Sequence, residues 1–284
     1  MQYEYNNLFK PRYLKELCER CSLRPSKKYG QNYLLSSQYI EKMIEVAKVN
    51  DTDKILEIGP GFGILTFALA QRAGRVYTCE IEKKLQPYWE TNVPDNVDIM
   101  WGNAINKVED ISNTLQDYKV VANLPYQITS HILRSLLDLL HKPTSITIMV
   151  QKEVAERIVA KPGDMSILSV AIQYYGDVRM VTNVSKGNFW PRPQVDSAII
   201  HIDIKNKKKE KNEKDFDIMF FRVLRAGFSH KRKQLWRNLS TQLFLEKQIV
   251  MVLLHDICGD EKIRAEDLSV DQWISIVKKL SKVL

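Results

Sequence analysis

Long hydrophobic runs are absent from this 284-residue chain. No stretch reaches the roughly 18 apolar residues that a membrane-spanning helix needs, so no membrane association is expected. The opening residues, "MQYEYNNLFKPRY", have no apolar stretch after a basic start, and no secretory signal is read there. A cytoplasmic location is the expectation. Cysteine is scarce: Cys18, Cys21, Cys79 and Cys258. The first two form a C-x-x-C, yet zinc wants four ligands and no second pair stands at matching spacing. The pair sits in "LKELCERCSLR", which reads as a helix, and free thiols are expected. The 5 histidines are scattered, with no H-E-x-x-H spacing, so no metal is expected. No internal repeat is visible. Low complexity is confined to "KNKKKEKNEK" at 205–214, which reads as a solvated linker.

Charge is present in excess of one sign, and unevenly. Residues 1–30 carry 7 Lys/Arg against 3 Asp/Glu, residues 31–204 carry 17 against 20, and residues 205–284 carry 18 against 11. Basic ends on a slightly acidic centre suit a polyanionic partner whose phosphates supply affinity; solvated lysine faces are the plainer alternative.

From residue 54 onward apolar strands alternate with helical patterns. "KILEIG" (54–59), "RVYTCEI" (75–81), "VDIMWG" (97–102), "YKVVANLP" (118–125) and "SITIMVQ" (145–151) read as strands. Helices are expected from Ser36 or Ser37, over 62–74, from 126 to Leu140 and over 166–176. Further strands are expected at 178–184 and 197–204, and helices from Phe216 to the end. Such alternation predicts a parallel, doubly wound sheet.

The first strand runs into "LEIGPGFGILT", with Glu57, Gly59, Gly61 and Gly63. A glycine-rich turn between strand and helix lets a ligand approach the backbone. Its spacing does not fit a dinucleotide: Ile64 stands where the third small residue belongs, and Pro60 lacks an N–H. No Lys-Ser/Thr pair makes it an ATP loop. The next strand brings Glu80 about twenty residues on, where a carboxylate can hold a ribose diol. The third ends at Gly102-Asn103, where Asn103 can meet an adenine edge. Together these suit an adenosine cofactor without phosphates, S-adenosylmethionine. The fourth strand ends in Asn123-Leu124-Pro125-Tyr126. The Asn123 oxygen and a backbone carbonyl near Leu124 can accept the two N–H bonds of a base amine and aim its lone pair at a sulfonium methyl. Pro125 sets the turn, and Tyr126 offers a face for an extruded base.

"NLPY" resembles the [N/D/S]-x-P-[Y/F/W] motif of amino-methyltransferases that act on nucleic-acid bases. "KKYGQNYLLS" (27–36), "EIGPGFGILT" (57–66), "QKEVAERIVAKPG" (151–163), "FWPRPQVDSAII" (189–200), "GFSHKRKQLWRNL" (227–239) and "RAEDLS" (264–269) resemble, in order, the small-subunit ribosomal RNA adenine dimethyltransferases, the kasugamycin-resistance methylases. The resemblance covers residues 27 to 284. It implies an α/β, Rossmann-like class I S-adenosylmethionine-dependent methyltransferase sheet with a small C-terminal all-α domain. The corresponding division is an N-terminal extension (1–30), a methyltransferase domain (31–206) and a helical RNA-binding domain (207–284). It implies transfer of two methyls to N6 of each of two adjacent adenosines in the 3′-terminal hairpin of 16S rRNA, in a 30S or pre-30S particle, by a monomer. Asn32 and Leu34 would cover the methionine end of the cofactor. Gly59 and Gly61 would contact it through the backbone, Glu80 would hold the ribose and Asn103 the adenine. Asn123, with Leu124 and Pro125, would orient the target amine, and Tyr126 and Phe189 would wall the target base. "SHKRKQLWRN" would lie on phosphates.

The chain departs from the family pattern at Asn103, where Asp is usual, in "KPGDMSILSV", which lacks the usual Lys-x-Tyr-Gly, and in residues 1–26, a candidate RNA-contacting helix. A 23S rRNA methylase of the erythromycin-resistance type, an assembly factor that keeps the fold, and a DNA adenine methylase are the alternatives. "RAEDLS" and "FWPRPQVDSA" favour the small-subunit type, and nothing resembles a DNA-reading domain.

Overall fold

The structure, a computed structural model, describes residues 5–26, 30–205 and 211–281, with side chains from 215 in the last segment. The low-complexity residues 206–210, with the 206/207 boundary drawn in them, and residues 27–29 of "KKYGQNYLLS" lie outside the described residues. In chain order the elements are α1 (Pro11–Arg20), β1 (Tyr33–Leu34), α2 (Ser37–Val46), β2 (Lys54–Ile58), α3 (Thr66–Ala70), β3 (Arg75–Glu80), α4 (Gln86–Asn92), β4 (Val97–Trp101), α5 (Ala104–Thr114), β5 (Tyr118–Asn123) and α6 (Thr129–Asp138). There follow β6 (Ser145–Gln151), α7 (Lys152–Ile158), α8 (Ile167–Tyr175), β7 (Gly176–Val184), β8 (Phe189–Trp190), β9 (Ser197–Ile204), α9 (Lys211–Gly227), α10 (Leu235–Leu243), α11 (Lys247–Cys258) and α12 (Val270–Leu280). Two compact units result: Met1–Ala155 with Asp177–Ile204, and Glu156–Gly176 with Lys205–Leu284. In this division residues 1–30 fall in the first unit and residues 156–176 in the second.

The first unit is built on a seven-stranded sheet of order β4-β3-β2-β5-β6-β9-β7. Strands β2 to β6 pair in parallel, and β9 runs antiparallel to β6. The five parallel strands are those that the alternation predicts, and antiparallel β9 makes the α/β sheet mixed and not wholly parallel. The chain leaves β2 outward through β3 to β4, then returns to the other side of β2 as β5. The carboxyl ends of β2 and β5 thus flank the switch point, where open α/β sheets keep their ligand crevice. β6 is buried from Ser145 to Val150, on both faces, as suits a central strand of such a sheet.

Two expected elements are shorter than the pattern suggests. The helix expected over 62–74 is α3, only 66–70. Gly61 and Gly63 take φ of +55° and +87°, in the left-handed region, so a right-handed helix starts only beyond them. Gly74 ends the turn that follows: a Cβ there would stand 2.6 Å from the carbonyl oxygen of Asp51. The fourth strand stops at Asn123, because Pro125 cannot donate to a ladder. A 3₁₀ turn, Tyr126–Ile128, leads into α6.

Helix α1 forms within the expected stretch but ends at Arg20, leaving Cys21 as its cap and residues 22–24 beyond it; it starts earlier, with Pro11 in its first turn, a position that needs no N–H. One face buries Leu14, Leu17 and Cys18 in the same core as Leu34, Ile40 and Phe62. Arg12, Lys15 and Arg20 face solvent. All four cysteines are free thiols. Among the described residues no helix is long and apolar enough to cross a membrane. No group of three or more His, Cys, Asp or Glu among them is placed to hold a metal ion.

In the second unit Tyr174 stacks on Phe220 with ring centroids 4.0 Å apart, and its hydroxyl donates to Asp217 Oδ1 at 2.6 Å. The "GFSHKRKQLWRNL" stretch divides by role. Gly227 leaves no room for a side chain, since a Cβ would come within 2.4 Å of Trp273. Buried Asn238 donates to the carbonyls of Gly227 and His230, at 2.6 and 3.0 Å. Lys231, Arg232 and Lys233 are exposed, and Arg237 and Lys247 lie over the Trp236 ring. In "RAEDLS", the Glu266 carbonyl accepts from the N–H groups of Gly163 and Met165, at 2.9 and 3.1 Å, and so holds the loop of the "KPGDMS" departure.

Because α1 is core on one side, Leu14→Ala should cost about 2–5 kcal/mol of stability. Lys15→Ala on the exposed side should change it by less than about 0.5 kcal/mol. Urea unfolding of both variants checks the contrast.

Candidate active site

The loop after β2 is shaped by glycine. Gly59, Gly61 and Gly63 have φ of +75°, +55° and +87°, which side chains with a Cβ rarely adopt. A Cβ on Gly63 would meet Phe67 at 2.5 Å and Trp89 at 2.9 Å, and one on Gly61 would meet Tyr33 at 3.1 Å. Side chains from distant elements then hold the loop's polar groups. The Gly61 N–H donates to Glu80 Oε2 at 3.1 Å, and Trp89 Nε1 donates to the Gly61 carbonyl at 2.9 Å. The hydroxyls of Tyr88 and Tyr5 donate to the carbonyls of Phe62 and Ile64, at 2.9 and 3.1 Å.

Glu80 closes β3. Its Oε1 accepts from the Glu82 N–H at 2.7 Å, so each carboxylate oxygen already takes one backbone N–H. Burial pushes this carboxyl up, and the N–H groups of Glu82, Gly61 and Ile81 pull it back. Glu57, on β2, is 1 % exposed and accepts from Thr66 Oγ1 at 2.7 Å. Burial drives it to about 8, against the pull of the Thr66 hydrogen bond. Asn103 caps α5, with Oδ1 accepting from the Ile105 N–H at 3.0 Å.

At the end of β5 the Leu124 N–H donates to the Met149 carbonyl of β6, at 3.1 Å, which fixes the peptide that follows Asn123. Pro125 sits against the glycine loop: a Cβ on Gly59 would lie 3.8 Å from its Cγ. The Tyr126 hydroxyl shares a 2.7 Å hydrogen bond with Ser197 Oγ of β9, which sets the ring. Gly30, at φ +60°, packs on the same turn, where a Cβ would come within 3.0 Å of Pro125 and 2.7 Å of Gln127 Oε1. The "GQNYL" and "FWP" stretches meet as a two-stranded antiparallel ribbon, Tyr33 opposite Trp190 and Leu34 opposite Phe189. Asn32 is tied back to Gly30, its N–H donating to that carbonyl at 2.9 Å.

These pieces enclose one cavity of about 260 Å³. The structure brings every predicted site residue to its wall: Asn32, Leu34, Gly59, Gly61, Glu80, Asn103, Asn123, Leu124, Pro125, Tyr126 and Phe189. No Lys, Arg or His lines it among the described residues. The polar lining is carboxylate, amide and backbone, rich in acceptors and without a cation for phosphate. Glu57, Tyr88, Trp89 and Ser197 carry no role in the sequence reading. Ser197 lies inside the "FWPRPQVDSAII" stretch, but nothing local marks Tyr88 and Trp89 as loop supports.

Residues 23–282 match the family described as ribosomal RNA adenine dimethylase. The ribosomal RNA small subunit methyltransferase A of Dehalococcoides mccartyi is 38% identical over 262 residues, covering 91% of this chain and 89% of that one. The protein of the same name from Clostridioides difficile is 36% identical over 270 residues, with 91% and 92% covered. Among solved structures, a dimethyladenosine transferase from Plasmodium falciparum superposes with a TM-score of 0.70 at 26% identity, over 88% of this chain and 97% of that one. The 23S rRNA methyltransferase ErmE shares the fold, with a TM-score of 0.67 at 22% identity over 87% and 99%.

Glu57 favours the folded state most when protonated. Its contribution is fully present below its ordinary value of 4.5 and is lost as pH rises through about 8. Glu57→Gln should therefore unfold at higher urea than the wild type at pH 9 and differ little from it near pH 5. Equal pH slopes for the two ligand-free proteins would contradict this.

Proposed function

This chain belongs to the ribosomal RNA adenine dimethylase family, and from that premise we propose that it dimethylates N6 of two adjacent adenosines in the 3′-terminal hairpin of 16S rRNA. It does so as a monomer on a 30S or pre-30S particle in the cytoplasm, with a role in building that subunit. The observation that carries the reading is the single cavity in which the glycine loop, Glu80 and Asn123 converge.

The lining fits S-adenosylmethionine. That ligand is cationic at sulfur and amine and carries no phosphate, and the wall is rich in acceptors and, among the described residues, free of cations. When bound, it supplies an electrophilic methyl. Gly59 and Gly61 offer backbone at close approach. Glu80 keeps lone pairs for a ribose diol while its oxygens hold the loop. Asn103 faces the adenine, and Asn32 and Leu34 cover the methionine end.

A base amine conjugated to its ring is a poor nucleophile. Asn123 Oδ1 and the Leu124 carbonyl each accept one of its N–H bonds, drawing the nitrogen toward tetrahedral geometry. The Leu124 N–H bond to Met149 holds the peptide that carries the Asn123 carbonyl, and Pro125 sets the turn in which the Leu124 carbonyl sits. Tyr126, pinned by Ser197, and Phe189 wall the base on its two faces. The alkylated nitrogen is acidic and loses its proton to solvent without a strong base. Lys231, Arg232, Lys233 and Arg237 supply phosphate contacts.

Labelled S-adenosylmethionine with unmethylated 30S particles, 50S particles or duplex DNA tests the assignment. Label is expected on the paired 16S adenosines; label on 23S rRNA would overturn it. Asn123→Ala should lower transfer by about 10²–10³-fold, with cofactor affinity nearly unchanged. Asn103→Asp keeps one oxygen for the helix cap and frees a second for the adenine amine. It should tighten cofactor binding roughly fivefold, the worth of about 1 kcal/mol; calorimetry would show it.

A further inference from the structure

A second cavity, about 140 Å³, adjoins the glycine loop and takes no part in the chemistry above. Its walls include Tyr5, Tyr13, Phe67 and Tyr88, all half-buried, with Asn92 and Asn96 at its polar side. Among the described residues none that lines it is charged.

The hydrogen bonds of the two asparagines narrow the ligand. Asn92 Nδ2 donates to the Tyr88 carbonyl at 2.7 Å and to Thr91 Oγ1 at 2.8 Å. Asn96 Nδ2 donates to the carbonyls of Ala70 and Ala73, at 2.9 and 3.0 Å. Both hydrogens of each amide are thus committed, and what each can offer a ligand is a carbonyl oxygen. Toward the two asparagines the ligand therefore donates, while Gln71 on the same wall can take either role. Aromatic walls favour a planar ring. A cavity of roughly 150 Å³ accommodates a benzene-sized molecule, so this one takes a single ring. The uncharged lining favours a neutral one. A one-ring nitrogen heterocycle with an exocyclic amine, the cytosine type, meets all of these conditions, its amine supplying the donor that an asparagine carbonyl accepts.

The walls are also wired to the first site. Tyr5 and Tyr88 donate to the carbonyls of Ile64 and Phe62, within the loop that shapes the main cavity. Ordering these rings orders the loop, and such coupling is reciprocal. We propose that this cavity is a second binding site, for a one-ring aminoheterocycle of the cytosine type, and that its occupation tightens cofactor binding in the first. The binding half stands apart from the proposed reaction; the coupling half rests on the S-adenosylmethionine reading.

Equilibrium dialysis of the full chain against cytidine and uridine tests the binding. Cytidine should bind about fivefold or more tighter than uridine, which lacks the amine. Ala70→Phe, which fills the cavity from α3, should weaken cytidine about tenfold. Tyr13→Ala, which removes a wall without filling anything, should weaken it in the same direction, so a folding defect in one variant does not decide the result. Saturating cytidine should tighten S-adenosylmethionine about threefold in the wild type and leave Ala70→Phe unmoved. Equal binding of uridine, or cytidine binding untouched in both variants, would overturn the site; wild-type cofactor affinity unmoved by cytidine would overturn the coupling. Failure of S-adenosylmethionine to bind at all would instead sink the proposed reaction and leave the cytidine result standing. A single-stranded RNA oligomer with one cytosine, compared with its abasic form, identifies the source. Tighter binding than free cytidine supports an RNA nucleotide, and equal binding supports a free nucleoside.

Discussion

The backbone from Gly59 to Ile64 cannot hold its own shape. Three of its residues are glycines at positive φ, which gain little from local structure and lose the most freedom on ordering. The loop persists because side chains from other elements satisfy its polar groups: Glu80 from β3, Tyr88 and Trp89 from α4, and Tyr5 from the N-terminal segment. Remove those partners and the cavity beside it loses its wall. The same bonds explain why α4 and the N-terminal segment matter to a site that neither lines.

The rest of the cavity depends on chain segments far apart in sequence. Pro125 lies against Gly59 and Gly30, and Tyr126 is pinned by Ser197. The ribbon of β1 and β8 carries Leu34 and Phe189 to the same wall. Glycine at position 30 is required there by contact as well as by conformation. The rim is therefore a set of mutually dependent contacts, each with little freedom to move.

The C-x-x-C is a packing feature. Cys18 is buried, and Cys21 stands at the carboxyl end of α1, where the helix dipole disfavours a thiolate. Burial raises Cys18 to about 11, the neighbouring Cys21 adding to it, and burial raises Cys21 as well. At Cys21 burial outweighs the opposing pull of Arg20, so neither thiol has the lowered value of a reactive cysteine. Helix α1 gives its apolar face to the core and its basic face to solvent, so a deletion of residues 1–22 would remove core packing together with any RNA contact.

Much of this protein is determined locally and can be read in the sequence. The runs at 54–58, 118–123 and 145–151 read as strands because the central parallel strands are largely buried on both faces, and those at 75–80 and 97–101 keep enough apolar residues to extend the sheet to its half-buried edge. The glycine loop, Glu80, Asn103 and Asn123 are legible because strand ends in sequence order become neighbours on one rim. The helical C-terminal region follows from its periodicity. Tertiary structure alone decided that α3 begins at Thr66, since only packing against Phe67 and Trp89 shows why Gly63 is bare. It alone paired residues 33–34 with 189–190 and gave Tyr88 and Trp89 to the loop. These are contacts between segments with no periodicity in common, and a one-dimensional pattern records a residue's own conformation but not which distant partner its polar atoms will find.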